Sequence, residues 1–240
     1  MELFRYITPF GVQCEDNVDV TDYSSVLQGL VEFELYFESW NGDGYNPILS
    51  FEMTKGTPEY LYTNVEEIWY DIYSFGDYAN QQPIPDVDYT FSPNTQAAKL
   101  KLTTTGHNWS SGTNGTYNTG NAAEFYEATH GVKINDQAEF EQHLWRTCNP
   151  NPSGCQPQNG TWTYNRSGWC PGSIAMVWDF DLSEHVNDGC INIFYELDPT
   201  YIDECHPNYP DCVDGQNSCP LCDSPDNPVL RVSGKVVSYR

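Results

Sequence analysis

Positive charge is scarce in this chain: ten Lys and Arg stand against 34 Asp and Glu, a formal charge of -24. A surface of that sign repels phosphate backbones and anionic lipid headgroups alike, which argues against nucleic acid or a membrane as partner. Acidity spread this evenly is a solvated, solubilising surface, so the partner to look for is neutral. Long apolar runs are missing as well. No stretch approaches the roughly 18 residues of a membrane-spanning helix. The opening MELFRYITPFGVQCEDN has neither the basic nor the apolar region of a secretory signal.

What is abundant points elsewhere. Aromatic residues at 15%, with 18 Gly and 16 Pro, favour many short strands joined by turns, and the expected class is all-β. Nine cysteines belong to an oxidising compartment and to disulfides. Disulfides without an export signal are resolved most simply if Met1 is not the natural N-terminus. The expected location is secreted or periplasmic, with the signal lying before Met1.

VEFELYFESW (31–40) alternates Val31, Phe33, Leu35 and Phe37 with Glu32, Glu34, Tyr36 and Glu38, the period of a strand with one buried face. Glu38 and Trp40 share its outer face, and ILSFEM (48–53) reads as its partner across NGDGYNP. KGTPEY (55–60) then breaks the pattern, giving an expected division into residues 1–56 and 57–240. Further strands are predicted at 66–73, 97–105, 173–182, 190–197 and 229–239, while 20–30 and 137–145 read as short helices. Antiparallel sandwiches such as jelly rolls suit this spacing. Residues 1–56 are too few for a complete one.

Two stretches carry candidate chemistry. The Gly- and Asn-rich loop 105–121 leads into NAAEFYEATHG and offers His107, Trp109 and Glu124. A surface loop followed by an ordinary strand with a solvated Glu124 is the plainer reading. In CNPNPSGCQPQNGTWTYNRSGWCPGS (148–173), Cys148 and Cys170 can close a loop holding Trp162, Arg166 and Trp169. Aromatic faces beside an Arg fork and amides suit a sugar ring, although a stapled loop with Trp packed under it has the same composition.

RYITPFGVQCEDNVDVTDYSSVLQG, LYFESW, KGTPEY, TTGH, AAEFYEATH and, most specifically, GTWTYNRSGWCPG resemble the peptide-N-glycosidase F family, bacterial secreted amidases that release N-linked glycans from asparagine. The resemblance runs in order from about Phe4 to Ser173. It implies two adjacent eight-stranded jelly rolls with the site between them, this chain holding the second half of the first and all of the second. It implies Glu124 and Glu38 as site carboxylates, with Trp40, His107, Arg166 and Trp169 lining a glycan groove. Thr105 stands where the family has a Trp. Ala122 and Tyr126 stand where a disulfide brackets its glutamate. The family's principal catalytic Asp, in a Cys-rich Trp-Asp-Arg segment, has no counterpart here. If the chain is a fragment, Cys14 is expected to pair with a cysteine of the missing part.

The activity implied is hydrolysis of the amide between N-acetylglucosamine and asparagine, by a monomer needing no cofactor or metal, acting on N-glycosylated proteins or peptides. Two rivals share the architecture. A non-catalytic glycan-binding module would keep Trp40, Arg166 and Trp169. A copper-dependent monooxygenase needs His clusters, and the five His show no His-x-His or His-x-x-x-His spacing. Cys205, Cys212, Cys219 and Cys222, in the insertion at 203–222, are expected to form two disulfides rather than a zinc site.

Overall fold

The structure is a computed structural model that describes residues 1–37, 44–108, 123–203, 205–210 and 228–240. Among these residues the regular secondary structure is almost wholly antiparallel strand. β1 (Tyr6–Ile7), β2 (Thr63–Ser74), β3 (Val87–Thr90), β4 (Ala97–His107), β5 (Ala128–Ile134), β6 (Gln137–Leu144), β7 (Ser173–Ile174), β8 (Trp178–Asp181), β9 (Cys190–Glu196) and β10 (Val229–Tyr239) follow in order. Two four-stranded sheets, β2-β10-β4-β8 and β3-β9-β5-β6, pack into a jelly-roll-like sandwich, and β1 pairs with β7 outside it.

Period-two alternation explains the sandwich. Leu100 and Leu102 of β4 and Leu230, Val232 and Val236 of β10 point inward from one sheet. Val132 and Ile134 of β5 and Ile191, Ile193 and Tyr195 of β9 meet them from the other. Each fully buried Leu or Ile contributes about 1.5–3 kcal/mol. Trp69 lies flat against Gly234, where a Cβ would sit 2.4 Å from its ring, so only glycine admits the indole there.

The outer face of the first sheet is also covered. Residues 1–25 cross it, with Tyr23 buried and Asp22 accepting from Lys101 Nζ at 2.8 Å and from the Tyr239 hydroxyl at 2.7 Å. Cys14 is joined to Cys155 within the chain, which corrects the expectation of an outside partner. The β1–β7 pairing brings the two loops together beside Gly172, whose missing side chain leaves room for both sulfurs. Cys148–Cys170 forms as expected, and Cys205 is disulfide-bonded.

Three further expectations are corrected. Residues 137–144 are strand β6 rather than helix, turned back from β5 by Asn135 and Asp136 at φ 50 and 64. Within 20–30 the helix shrinks to a single 3₁₀ turn, Thr21–Tyr23. Residues 31–37 and 44–53 form no strand. Phe33 faces Phe51 at 5.0 Å and Phe37 faces Tyr45 at 6.1 Å, so the two runs lie side by side. Among the described residues nothing covers their apolar side chains, Leu35 being 52% and Ile48 86% exposed. A lone two-stranded hairpin with no layer behind it is marginal.

His130 of β5 is fully buried, edge-on to Phe75 and Tyr195, and its Nδ1 accepts from the Asp198 amide at 2.9 Å. Burial holds its pKa down at about 4, against a smaller opposing pull from Asp198. The unfolded chain takes up that proton near the ordinary value of about 6.5, so stability falls as pH drops through this window. From about pH 7 to about pH 5 His130 is expected to account for about 2 kcal/mol of lost stability. Urea unfolding of the wild type and of His130→Leu at both pH values checks this, and an equal pH dependence in the two proteins would contradict it.

Candidate active site

Where β4 ends, two loops are stitched against it. Gly106 N donates to Ser167 O at 3.0 Å, Ser167 N donates to Glu124 O at 2.9 Å, and Trp169 Nε1 donates to Gly106 O at 2.7 Å. The 3₁₀ turn Ala123–Phe125 and the 164–170 segment are thereby fixed side by side. Glycine is demanded at the joint: a Cβ on Gly106 would lie 2.1 Å from the Ala123 carbonyl oxygen. Gly168, at φ +82, likewise clears the Thr104 carbonyl.

Arg166 sits at the centre and is 1% exposed. Its Nε donates to Glu124 Oε1 at 2.9 Å, Nη1 to Tyr164 O at 2.6 Å, and Nη2 to both Thr161 O and Oγ1 at 3.0 Å. Its flat guanidinium also packs on Trp169 at 4.8 Å, Phe125 at 5.2 Å and Phe10 at 5.7 Å. A guanidinium held this way is support for Glu124 rather than a free arm.

Glu124 is 14% exposed at its side chain. Burial raises its carboxyl pKa above the ordinary value, outweighing the opposing pull of the Arg166 charge and hydrogen bond. The second oxygen, Oε2, makes no hydrogen bond among the described residues and is not sealed from solvent. One oxygen is anchored and the other is offered.

His107 stacks on Trp169 with centroids 5.6 Å apart. Its Nε2 lies 2.8 Å from Thr105 Oγ1. Burial first, then the Arg231 and Arg5 charges, push its pKa down to about 3, so the ring is neutral. Beside these groups, Phe125, Trp145, Thr163, Tyr164 and Asn165 line a shallow depression of ≈ 320 Å³. Among the described residues no three His, Cys, Asp or Glu side chains converge in a metal-binding group.

Four of the residues singled out from sequence, Glu124, His107, Arg166 and Trp169, therefore form one contiguous cluster. Trp169 is 6% exposed, with His107 and Arg166 packed against its ring. Glu38 and Trp40 lie outside the described residues. Phe10, Thr161, Phe125 and Arg5 join the cluster without having been singled out from sequence; Phe10, Phe125 and Arg5 meet partners far along the chain, and Thr161 meets Arg166 through its carbonyl and its hydroxyl.

Residues 75–208 match the family model of peptide-N-glycosidase F, C terminal. The chain belongs to the peptide-N-glycosidase F family. It is 31% identical over 191 residues to peptide-N(4)-(N-acetyl-beta-D-glucosaminyl)asparagine amidase F of Elizabethkingia miricola, an alignment taking in 71% of this chain and 50% of that protein. The chain thus spans about half the length of that relative. Two solved structures share the fold at a TM-score of 0.57 and 21% identity over 77% of this chain and 54% of theirs: recombinant peptide:N-glycanase F, and PNGase F of Flavobacterium meningosepticum, described as a glycosylasparaginase. The match to the family model contains the whole Glu124–Arg166 cluster, although Phe10 and Arg5, which complete its packing, precede it.

Gly106→Ala is expected to lift the Ala123–Phe125 turn off β4 and to cost about 1–3 kcal/mol in urea unfolding. Unchanged stability would contradict the close approach drawn for this joint.

Proposed function

We propose that this chain carries the glycan-facing half of an amidase that hydrolyses the bond between N-acetylglucosamine and asparagine in N-glycosylated proteins or peptides. The observation that carries the reading is Glu124, one oxygen clamped by the buried Arg166 and the other open, within a chain of the peptide-N-glycosidase F family. Water adds to the side-chain amide, the carbon–nitrogen bond breaks, and aspartate and a glycosylamine leave, the latter losing ammonia to water afterwards.

In this scheme Glu124 Oε2 accepts from the attacking water or a sugar hydroxyl, and Glu38 is its partner carboxylate. Arg166 and Trp169 act from beneath, Arg166 fixing the Glu124 carboxylate and Trp169 supporting the His107 ring. The aromatic depression at Trp145 and Tyr164 offers the apolar faces on which sugar rings stack. The family resemblance adds Trp40 to the groove residues. The principal acid, which the family resemblance places in a Trp-Asp-Arg segment, is not among these 240 residues. Residues 1–56 we assign to the first jelly roll, whose remaining strands would cover the exposed apolar face at Leu35 and Ile48, with the division from the second at KGTPEY. Disulfides fit an oxidising compartment outside the cytosol.

The test uses the chain joined to the upstream part of its relatives, with a fluorescent N-glycopeptide as substrate. Glu124→Gln is expected to lower the rate at least about tenfold. Because the Glu124 pKa is raised and the ionised form is the one that accepts, activity should fall with acid at a midpoint above the ordinary glutamate value. That limb should vanish in the variant. Undiminished activity in Glu124→Gln would overturn the assignment, and glycopeptide binding without release by the extended protein would replace the amidase with a glycan-binding module.

A further inference from the structure

The proton inventory around Thr105 settles more than a contact. Thr105 is fully buried on β4, and its Oγ1 accepts a hydrogen bond from Arg5 Nη1 at 2.7 Å. The same oxygen lies 2.8 Å from His107 Nε2. A hydroxyl has one hydrogen to give. If His107 Nε2 carried a proton, Oγ1 would accept twice and its own hydrogen would have no acceptor among the described residues. A buried donor left in that state costs about 1–3 kcal/mol. With Nε2 bare, the Thr105 hydrogen points at it, and both the hydroxyl and Nε2 are satisfied.

We propose that Arg5 is a positioning residue for the site: acting through Thr105, it holds His107 as the neutral imidazole protonated at Nδ1, a fixed hydrogen-bond donor rather than a proton carrier.

Arg5 is itself held firmly. Its Nε and Nη2 donate to Glu2 Oε2 at 3.2 and 2.8 Å, and Nη1 also donates to the Arg231 carbonyl at 2.8 Å. Arg231 stands directly across from Thr105 in the β4–β10 register. Among the described residues the charged groups around His107 are Arg5 from the N-terminal segment and Arg231 from β10, with Glu2 engaged by Arg5, and both cations oppose a second proton on the ring. Trp169 closes one face. His107 is partly exposed and its Nδ1 makes no hydrogen bond among the described residues, so its N–H can meet an oxygen acceptor. An acetamido carbonyl, an amide carbonyl or a sugar hydroxyl fits that need. That this acceptor is substrate rests on the amidase reading above, whereas the tautomer does not.

The position makes chemical use of a departure from the family pattern. Where the resemblance places an indole, this chain has a hydroxyl small enough for a guanidinium to reach. Stacking surface is exchanged for control of a neighbouring ring.

The test is long-range proton–nitrogen correlation of the imidazoles in the uniformly labelled full chain, with His107 assigned by the signals lost in His107→Asn. From about pH 8 down to about pH 5, across the range where free histidine titrates, Nε2 is expected to stay pyridine-like and Nδ1 pyrrole-like. Protonation at Nε2, or an imidazolium anywhere in that range, would overturn the proposal. In Arg5→Leu and in Thr105→Val the single-tautomer pattern is expected to give way to a mixture, with Arg5→Lys and Thr105→Ser restoring it. A spectrum unchanged by Arg5→Leu would remove Arg5 from the role. Since the readout is in the free protein, failure of the glycopeptide assay would leave this result standing.

Discussion

The ion pair between Arg166 and Glu124 is the constraint on which the site depends. A guanidinium at 1% exposure is stable only if its charge and its donors are met, and here a carboxylate, two carbonyls and a hydroxyl meet them. Those acceptors come from the turn at 123–125 and the loop at 161–166, and the aromatic faces come from Phe10, Phe125 and Trp169. Loosening the guanidinium would therefore free three segments of chain together. Glu124 is held at an angle set by backbone it does not belong to.

The sandwich supplies the rigid floor for this arrangement. β4 is paired on both sides, by β10 and β8, and its last residues run from the core directly into the site. Thr104 faces inward to the buried Tyr195 hydroxyl, whereas Thr105 faces outward to Arg5 and His107. Successive residues of one strand thus serve core and site. Gly106 then lets the Glu124 turn approach the strand backbone.

Much of the fold was legible because the strands that bury one face alternate visibly, and β10 was predicted to its last residue. β6 was not. Phe140 and Leu144 are spaced as on a helix, and the residue between them that would have revealed the strand is Gln142, a polar side chain buried so that it can accept from Tyr195. At 31–40 the alternation is real, yet the described residues provide no layer for it to bury against. In the candidate site, His107, Glu124, Arg166 and Trp169 are singled out through the resemblance, whereas Arg5 and Phe10 are not. They act across separations of about a hundred residues or more, where no spacing rule applies. The roles shifted as well: Arg166 and Trp169, read as groove lining, are buried supports.

The most direct test is a double-mutant cycle on the pair itself, comparing Glu124→Gln, Arg166→Met and the double variant by urea unfolding. If the buried pair organises the site, the single changes should fail to add, with a coupling energy of at least about 1 kcal/mol. Additivity to within about 0.5 kcal/mol would contradict the account, because two residues that do not need each other cannot be what holds the three segments together.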